Sequence, residues 1–451
     1  MMTGTLQLAL AFSADLLHHH HHRRPLFLPW CALSKKGHRF FTSLAAAAGD
    51  SAAANRLIRK FVASSSKSDA LNALSHLISS NTTHFHLSSL VLPMYRRIAE
   101  TPWFNWNPKL VASVIAYLDK QGQPEEAEAL ISESVQKLGF QERDVALFYC
   151  DLIDSYSKQR SRIGVFESYA RLKQLFSDSS SSLSRRAYET IICSLCSVDL
   201  PRDAENMVEE MTISGFKPSA FEFRSLVSGY GRLGLFTDMR RVLRKMEDAG
   251  YCLDTICSNM VLSSFGAHSE LSEMASWLRK MKDSNISFSI RTYNSVMNSC
   301  PTITSLLKDL KFVPLSMEDL KGRLQKDETL LVEQLIGSSV LMDALKWCPS
   351  EGKLDLHGMH LATAYLIMLQ WVQVLRSRFS AGNWVIPTEF RVICGSGKHS
   401  SVRGESPVKA LVKQMMVRMK SPMKIDRNNV GCFVGRGKAV RDWLCCIHYD
   451  L

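Results

Sequence analysis

The sequence predicts an α-helical solenoid of antiparallel helix pairs followed by a small α/β sandwich domain. One observation behind this prediction is a repeat with a period of 35 residues, which indicates stacked supersecondary units. The other is a change near residue 350, where strand-like segments begin to alternate with helix-like ones. The 451-residue chain is therefore expected to contain a repeat array, residues 107–300, a helical bridge, residues 301–350, and the α/β domain, residues 351–451.

Residues 1–60 precede the predicted array and have the composition of an organellar transit peptide. They contain two acidic residues, Asp15 and Asp50, against eight Lys and Arg, and they are rich in Ala, Ser and Leu. We expect this segment to be a disordered leader that is removed. The histidine run at 18–22 lies inside it and is therefore not expected to hold a metal.

Residues of matched chemistry recur every 35 positions in the array. The recurring sets are aromatic, aliphatic, methionine and turn residues: Tyr188, Phe223 and Tyr293; Ile191, Leu226, Val261 and Val296; Met211, Met246 and Met281; Gly215, Gly250 and Asn285. They define complete units at 185–219, 220–254 and 255–289, a partial unit from 290, and weaker copies at 108–142 and from 146. One helix pair cannot bury its apolar face alone, so stacked pairs are expected to share a continuous core.

Each unit is interpreted as two helices. In the clearest one, apolar residues at helical spacing run from Phe221 to Leu233, and a second apolar stripe runs from Met239 to Met246. Gly250 follows the second stripe, at a position where Gly and Asn recur because both tolerate the left-handed conformation that ends a helix.

These units resemble pentatricopeptide repeats. The resemblance depends on Glu-Glu-Met-Thr-Ile-Ser-Gly-Phe-Lys-Pro at 209–218, Lys-Met-Glu-Asp-Ala-Gly at 245–250 and Thr-Tyr-Asn-Ser-Val-Met at 292–297. It implies binding of single-stranded RNA in a plant organelle, with about one base per repeat. The base-reading pairs that it implies are Glu189 with Ser219, Arg224 with Asp254, and Asn259 with Ser289, while Asn294 begins a further unit. The alternative is that Glu189 and Arg224 are only solvated.

The C-terminal segment carries two motifs in a strand and helix pattern. Leu-Asp-Leu-His-Gly at 354–358 precedes an apolar helix, residues 361–375, and Phe-Arg-Val-Ile-Cys at 390–394 is predicted to be a strand. That strand leads into Gly-Ser-Gly-Lys-His-Ser at 395–400 and a helix over 407–419. A further strand is predicted over 430–434 and a further helix over 438–444.

The two motifs together resemble those of the Small MutS-Related (Smr) domain, whose second motif has Thr where this chain has Cys394. The resemblance implies RNA cleavage, with Asp355, His357 and His399 as catalytic candidates. Gly395, Gly397, Lys398 and Ser400 are the phosphate-binding candidates. No cofactor is firmly implied, although Asp355 could hold Mg²⁺ through water. Alternatively, these residues bind phosphate without cleavage, or Asp355 and His357 only cap the next helix and fix the strand–helix turn.

The charge of the chain agrees with a polyanionic partner. The formal net charge is +12 and the sequence pI about 9.1, and residues 391–451 hold twelve Lys and Arg against four Asp and Glu. Cys193 and Cys196 form one Cys-x-x-Cys pair without a second at zinc spacing, so they are predicted to be buried structural thiols. No membrane-spanning segment is predicted, because the most apolar stretch is too short.

Three function classes follow from these observations. The first is an organellar RNA endonuclease that the repeats direct and whose Smr-like domain cleaves. The second is a non-catalytic RNA-binding factor that stabilises, processes or helps translate a transcript, and the third is a DNA-directed function. The expected location is the chloroplast, with the mitochondrion as the alternative.

Overall fold

The structure is a computed structural model that describes residues 33–47, 50–79, 89–139, 141–175, 181–381, 385–395 and 406–446. These residues form twenty-two α-helices and five β-strands. The helices before the first strand are α1 Lys35–Ala46, α2 Ser51–Ser64, α3 Lys67–Ser79, α4 Val91–Ala99, α5 Pro108–Lys120, α6 Pro124–Leu138, α7 Glu142–Lys158, α8 Arg162–Gln174, α9 Ser181–Ser197, α10 Pro201–Ile213, α11 Ala220–Arg232, α12 Phe236–Asp248, α13 Thr255–Ala267, α14 Leu271–Asp283, α15 Ile290–Asn298, α16 Pro301–Leu306, α17 Met317–Arg323, α18 Lys326–Ile336 and α19 Val340–Ala344. The remaining elements are β1 Leu345–Trp347, β2 Glu351–Asp355, α20 Leu361–Ser380, β3 Glu389–Ile393, α21 Pro407–Arg418, β4 Lys424–Ile425, β5 Cys432–Arg436 and α22 Gly437–Cys446.

The described chain divides into two compact units. The N-terminal unit comprises residues 33–233 and 237–244, and the C-terminal unit comprises residues 234–236 and 245–446. The division therefore falls within α12, inside the repeat predicted at 220–254.

Stacked helix pairs build the N-terminal unit. The first helices α5, α7, α9 and α11 contact one another in sequence, and α5, α7 and α9 each also pack on their own second helix. This nearest-neighbour pattern is the one that a helical repeat array requires. Residues such as Val114, Phe148 and Ile191 are fully buried along the first helices and supply the shared core.

Part of the predicted leader is helical. Residues 35–46 and 51–64 form α1 and α2, and the rings of Phe40 and Phe61 stack with their centroids 4.0 Å apart. The expectation of disorder for residues 1–60 is wrong for this portion, because Phe40, Leu44, Ile58 and Phe61 are buried. Residues 1–32, with the histidine run, lie outside the described residues.

Helices α13 to α19 open the C-terminal unit. Helix α13 packs on α14 and α15, and α15 packs on α20. The predicted helical bridge, residues 301–350, contains α16 to α19, but its last residues form β1 instead of helix. Leu345 to Trp347 pair with Leu354 to Gly352 in antiparallel register, and buried Leu345 anchors the strand.

The five strands form one mixed sheet in the order β1-β2-β3-β5-β4. Strands β2 and β3 are parallel neighbours, and the other pairs are antiparallel. Buried residues alternate with half-buried ones along β2 and β3, so one side of these strands faces the core. On that side the ring of Phe390 makes edge contacts with Trp371 and Phe379 of α20.

Candidate functional site

The Asp355 and His357 side chains meet at the end of β2. The His357 Nδ1 atom lies 2.7 Å from Asp355 Oδ1, and the backbone N–H of His357 donates to the same oxygen at 3.1 Å. The His357 side chain is 62% exposed and the Asp355 side chain is 39% exposed, so solvent or a ligand can reach the pair. A histidine oriented by a carboxylate in this way is arranged for acid–base chemistry.

A turn, not strand alternation, brings these two side chains together. The strand ends at Asp355, whose carboxylate accepts from the N–H two residues later, which is the geometry of an Asx-turn. The alternative that Asp355 and His357 cap the next helix and fix the strand–helix turn is wrong for the cap, while Asp355 does hold the turn after the strand. The N-cap residue of α20 is His360, and no side chain caps that helix end.

The carboxyl group of Asp355 is poised as an anion. Burial raises its pKa, but the hydrogen bonds from the His357 backbone and imidazole, with the charges of His357 and Lys353, outweigh burial and hold the pKa below its usual range. Lys353 Nζ lies 3.8 Å from Asp355 Oδ2. The carboxylate therefore stays charged at neutral pH and can orient the imidazole through Nδ1.

The second predicted motif begins beside this pair. Because β2 and β3 are parallel, their carboxyl ends lie at the same edge of the sheet. Gly395 has φ +78°, and a Cβ atom built on it would lie 3.5 Å from His357 Nε2. The site is thus open at Gly395, where any larger residue would also strain the backbone.

The amino end of α21 is held close to the same edge. The Ser406 hydroxyl donates to the carbonyl of Cys394 at 3.3 Å and accepts from the Lys409 N–H at 3.2 Å. Cys394 itself is buried, and burial raises the pKa of its thiol to about 12. The thiol is therefore protonated at neutral pH and is not a reactive nucleophile. Gly397, Lys398, His399 and Ser400 lie outside the described residues, so their roles stay predictions.

The residues around Asp355 do not make a dedicated metal cage. No group of three or more His, Cys, Asp or Glu side chains that could hold a metal ion occurs among the described residues. Mg²⁺ is commonly held by one or two carboxylates together with waters and substrate phosphates. Asp355 fits only as one such ligand, and one of its oxygens already binds His357.

The last residue of each clear repeat is a helix N-cap. Ser219 caps α11, Asp254 caps α13 and Ser289 caps α15, and each side chain accepts from a backbone N–H of the first helical turn. Ser219 and Glu222 form a reciprocal capping box in which the Ser219 backbone N–H donates to the Glu222 carboxylate at 2.6 Å. These predicted base-reading positions therefore also stabilise the fold.

The predicted fifth-position residues lie in different surroundings. Glu189 on α9 pairs with Arg185 at 3.2 Å, and Arg224 on α11 is half-buried. Asn259 is only 4% exposed, donates to Ser289 Oγ at 3.2 Å and accepts from Thr292 Oγ1 at 2.8 Å. The structure thus brings Asn259 and Ser289 together in a hydrogen-bonded network with Thr292, and their base-reading role stays a prediction.

Asn294 differs from its prediction as a base-reading residue. Its Nδ2 atom donates to the Gly358 carbonyl at 2.9 Å, and its Oδ1 atom accepts from the His360 N–H at 2.9 Å. The side chain is therefore committed to the loop after β2, because α15 packs on the start of α20. Asn298 Nδ2 also lies 2.6 Å from His360 Nδ1. No sequence signal indicated Asn298 or His360, which lie 62 residues apart.

Known proteins are similar to this chain both in its repeats and over most of its length. The family model described as "PPR repeat" matches residues 186–216 and 223–251. The pentatricopeptide repeat-containing protein At2g17033 of Arabidopsis thaliana is 55% identical over 416 residues, which are 92% of this chain and 82% of that protein. The chain belongs to the pentatricopeptide repeat family. A second member, pentatricopeptide repeat-containing protein At5g48730, chloroplastic, of Arabidopsis thaliana, is 24% identical over 34% of this chain and 29% of its own length.

A solved structure of the same family was also matched. The pentatricopeptide repeat protein PPR10 from maize aligns with a TM-score of 0.36 and 11% identity, over 92% of this chain and 62% of that one. Its complex with an 18-nt psaJ RNA element aligns with a TM-score of 0.32 and 16% identity, over 84% of this chain and 60% of that one. This chain therefore spans less than two thirds of PPR10. Among the described residues, no helix is long and apolar enough to cross a membrane.

Proposed function

We propose that this pentatricopeptide repeat protein binds single-stranded RNA in a plant organelle and cleaves it at the Asp355–His357 pair. The observation that carries the proposal is the exposed imidazole held 2.7 Å from a charged carboxylate, beside the open backbone of Gly395. In this proposal residues 351–446 are a domain of the Smr type in an α/β sandwich. The location proposed is the chloroplast, with the mitochondrion as the second candidate.

The geometry defines a role for each part of the imidazole. Nδ1 is held by Asp355, which fixes the tautomer with the proton on Nδ1 and leaves the Nε2 lone pair facing Gly395. Nε2 accepts the proton of the attacking hydroxyl while its oxygen bonds to phosphorus and the P–O bond to the leaving ribose oxygen breaks. The leaving oxygen takes its proton from water, and His357 returns its own proton to solvent. The missing side chain at Gly395 lets a phosphate approach the backbone, and the nearby amino end of α21 favours its negative charge.

The repeats supply affinity and base preference in this proposal. The family binds RNA with about one base per repeat, and a net charge of +12 favours a polyanion. Glu189 with Ser219, Arg224 with Asp254, and Asn259 with Ser289 are the proposed base-reading pairs. Because Asn259 and Ser289 hydrogen-bond each other at 3.2 Å, a base would have to replace that contact.

Binding without cleavage is the second candidate function. One observation favours it: at Cys394 a buried thiol, which is a weaker hydrogen-bond donor, replaces the hydroxyl of the Smr motif. A bound transcript would then be protected or processed by other factors. The same Gly395 edge would bind phosphate without chemistry.

A cleavage assay with paired variants separates the two functions. Labelled single-stranded RNA is incubated with the full chain, with His357→Ala, with Asp355→Asn and with His268→Ala as an exposed histidine control, with and without Mg²⁺. The proposal expects His357→Ala to lower the cleavage rate by roughly 10²-fold, the usual scale for a general acid or base, and His268→Ala to leave it unchanged. Absence of cleavage by the wild type above that of an Asp355→Ala, His357→Ala double variant, with any divalent ion, would leave the binding factor as the function.

Binding is measured separately on the same proteins. We expect single-stranded RNA to bind more tightly than duplex DNA at matched salt, with an affinity that falls as salt rises because bound phosphates release counterions. Arg224→Ala is expected to weaken binding or change its base preference. Equal affinity for duplex DNA would contradict the assignment of the repeats as RNA readers.

A further inference from the structure

Helix α15, which begins the last and partial repeat, is hydrogen-bonded to the loop that carries the candidate site. Asn294 on α15 binds both sides of the turn: its Nδ2 atom donates to the Gly358 carbonyl and its Oδ1 atom accepts from the His360 N–H, each at 2.9 Å. Asn294 is 8% exposed, so water has little access to compete for either hydrogen bond. All four polar atoms belong to the C-terminal unit.

The gripped segment is the turn on which His357 stands. Leu356 and Met359 flank this turn as buried anchors, and the Leu356 N–H donates to the Ile393 carbonyl at 2.9 Å. Gly358 between them has φ +75°. His357 is thus fixed by the strand on one side and by Asn294 on the other.

A second contact supports the same grip. Asn298, one helical turn after Asn294, places Nδ2 at 2.6 Å from His360 Nδ1. Burial lowers the pKa of His360, so its ring is neutral at neutral pH and Nδ1 can accept from the amide. Two asparagines on one face of α15 therefore hold residues 358–360.

The repeat grid gives a matched comparison within this chain. Asn259 occupies the equivalent position 35 residues earlier, is 4% exposed and is also hydrogen-bonded. Its partners, however, are Ser289 at the end of its own repeat and Thr292 in the next one. Asn294 holds the site loop instead. The same residue at the same repeat position thus serves the array in one place and the Asp355–His357 turn in the other.

We propose that Asn294 is a positioning residue for His357 and that the readable array ends at Ser289, because the amide of the next unit is bound to the site loop. The proposal deepens the proposed function and rests on it for its catalytic consequence. The positioning itself is a statement about residues 356–360 and can be tested without any cleavage.

The test uses the full chain with Asn294→Ala, Asn294→Asp and the control Ser295→Ala. Ser295 lies on the same helix, and its hydroxyl lies 3.0 Å from the Ser263 hydroxyl. Hydrogen exchange of the backbone amides at 357–360 is the first measurement, and kcat and KM for RNA cleavage are the second. We expect Asn294→Ala to speed exchange of these amides by about tenfold or more and to lower kcat by about tenfold, with KM and RNA affinity within twofold. Asn294→Asp keeps the acceptor for His360 and should retain part of the protection, while Ser295→Ala should leave both measurements unchanged.

The outcomes separate the positioning role of Asn294 from the proposed nuclease activity. Unchanged exchange at 357–360 in both Asn294 variants overturns the positioning role, whatever the wild type cleaves. An equal loss of kcat in Asn294→Ala and Ser295→Ala also overturns it, since that pattern reports general destabilisation. Absence of cleavage by the wild type overturns the proposed nuclease alone, and the exchange measurement then decides the positioning role by itself.

Discussion

Glu205 lies at the centre of an ionic network that joins successive helices of the N-terminal unit. Its carboxylate accepts from the Tyr230 hydroxyl at 2.7 Å and from two nitrogens of Arg241 at 2.6 and 2.9 Å. The Glu205 side chain is 12% exposed and that of Arg241 is 36% exposed. Burial and the hydrogen bond to Glu205 raise the pKa of Tyr230 to about 12, so the phenol stays protonated and donates.

The unequal burial of the two charges predicts unequal costs of removing them. Arg241→Met leaves a nearly buried carboxylate with Tyr230 as its remaining partner in the network. Stripping one partner from a fully buried pair costs about 3–5 kcal/mol, and partial exposure reduces this to about 2 kcal/mol here. Glu205→Gln keeps the side-chain volume and leaves Arg241 with solvent and Asp238, at 2.9 Å, so its cost should be about 1 kcal/mol.

Hydrogen exchange measured by mass spectrometry tests this asymmetry locally. Peptides from α10 to α12 should exchange about 30-fold faster in Arg241→Met and about fivefold faster in Glu205→Gln, since 1.4 kcal/mol is a factor of ten. Peptides from α20 are the internal control and should not change. The double variant Glu205→Met with Arg241→Met should cost less than the sum of the single changes, because no charge is left stranded. Equal or reversed costs for the two single variants would refute the reasoning.

Three further predictions concern caps, tight packing and thiols. Ser219→Ala should destabilise the first turn of α11 by about 1 kcal/mol through loss of the N-cap, seen as faster amide exchange there and not in α14. Gly437→Ala should destabilise the sheet by about 1–3 kcal/mol or more in thermal unfolding, because its Cβ would lie 1.7 Å from the Pro387 carbonyl oxygen, whereas Gly322→Ala meets nothing within 4 Å and should be neutral. Iodoacetamide at pH 8 should alkylate Cys348 before Cys394, as read by mass spectrometry, because hydrogen bonds from Ser350 and the backbone lower the pKa of the exposed thiol and burial raises the other to about 12.

Local patterns were enough to predict the repeats and most of the C-terminal strands. The 35-residue grid combines apolar spacing with residues suited to helix ends, so it indicates helix pairs without any knowledge of the tertiary structure. The strand predicted at 390–394 forms at 389–393, and the one predicted at 430–434 forms at 432–436. The Leu-Asp-Leu-His-Gly motif also indicated Asp355 and His357, although not the turn by which the carboxylate brings them together.

Features that depend on distant partners were not predictable from local patterns. Strand β1 has three residues and forms because β2 offers it an edge. Helices α1 and α2 fold where composition indicated a leader, because Phe40 and Phe61 find each other. Asn294 looked like a base reader because its position on the grid is that of Asn259, and only the packing of α15 on α20 directs its amide to Gly358.

The capping role of Ser219, Asp254 and Ser289 limits how the array can be rewritten. If these positions read bases as proposed, each must hold a side chain short enough and polar enough to end the turn of its own helix. That requirement restricts these positions to Ser, Thr, Asn, Asp and, with some loss of stability, Gly. An engineer who wishes to retarget the array should therefore vary Glu189 and Arg224 first, since they lie within helices and carry no such duty. Any other residue type at a repeat boundary would change the base preference but lower the local stability by about 1 kcal/mol.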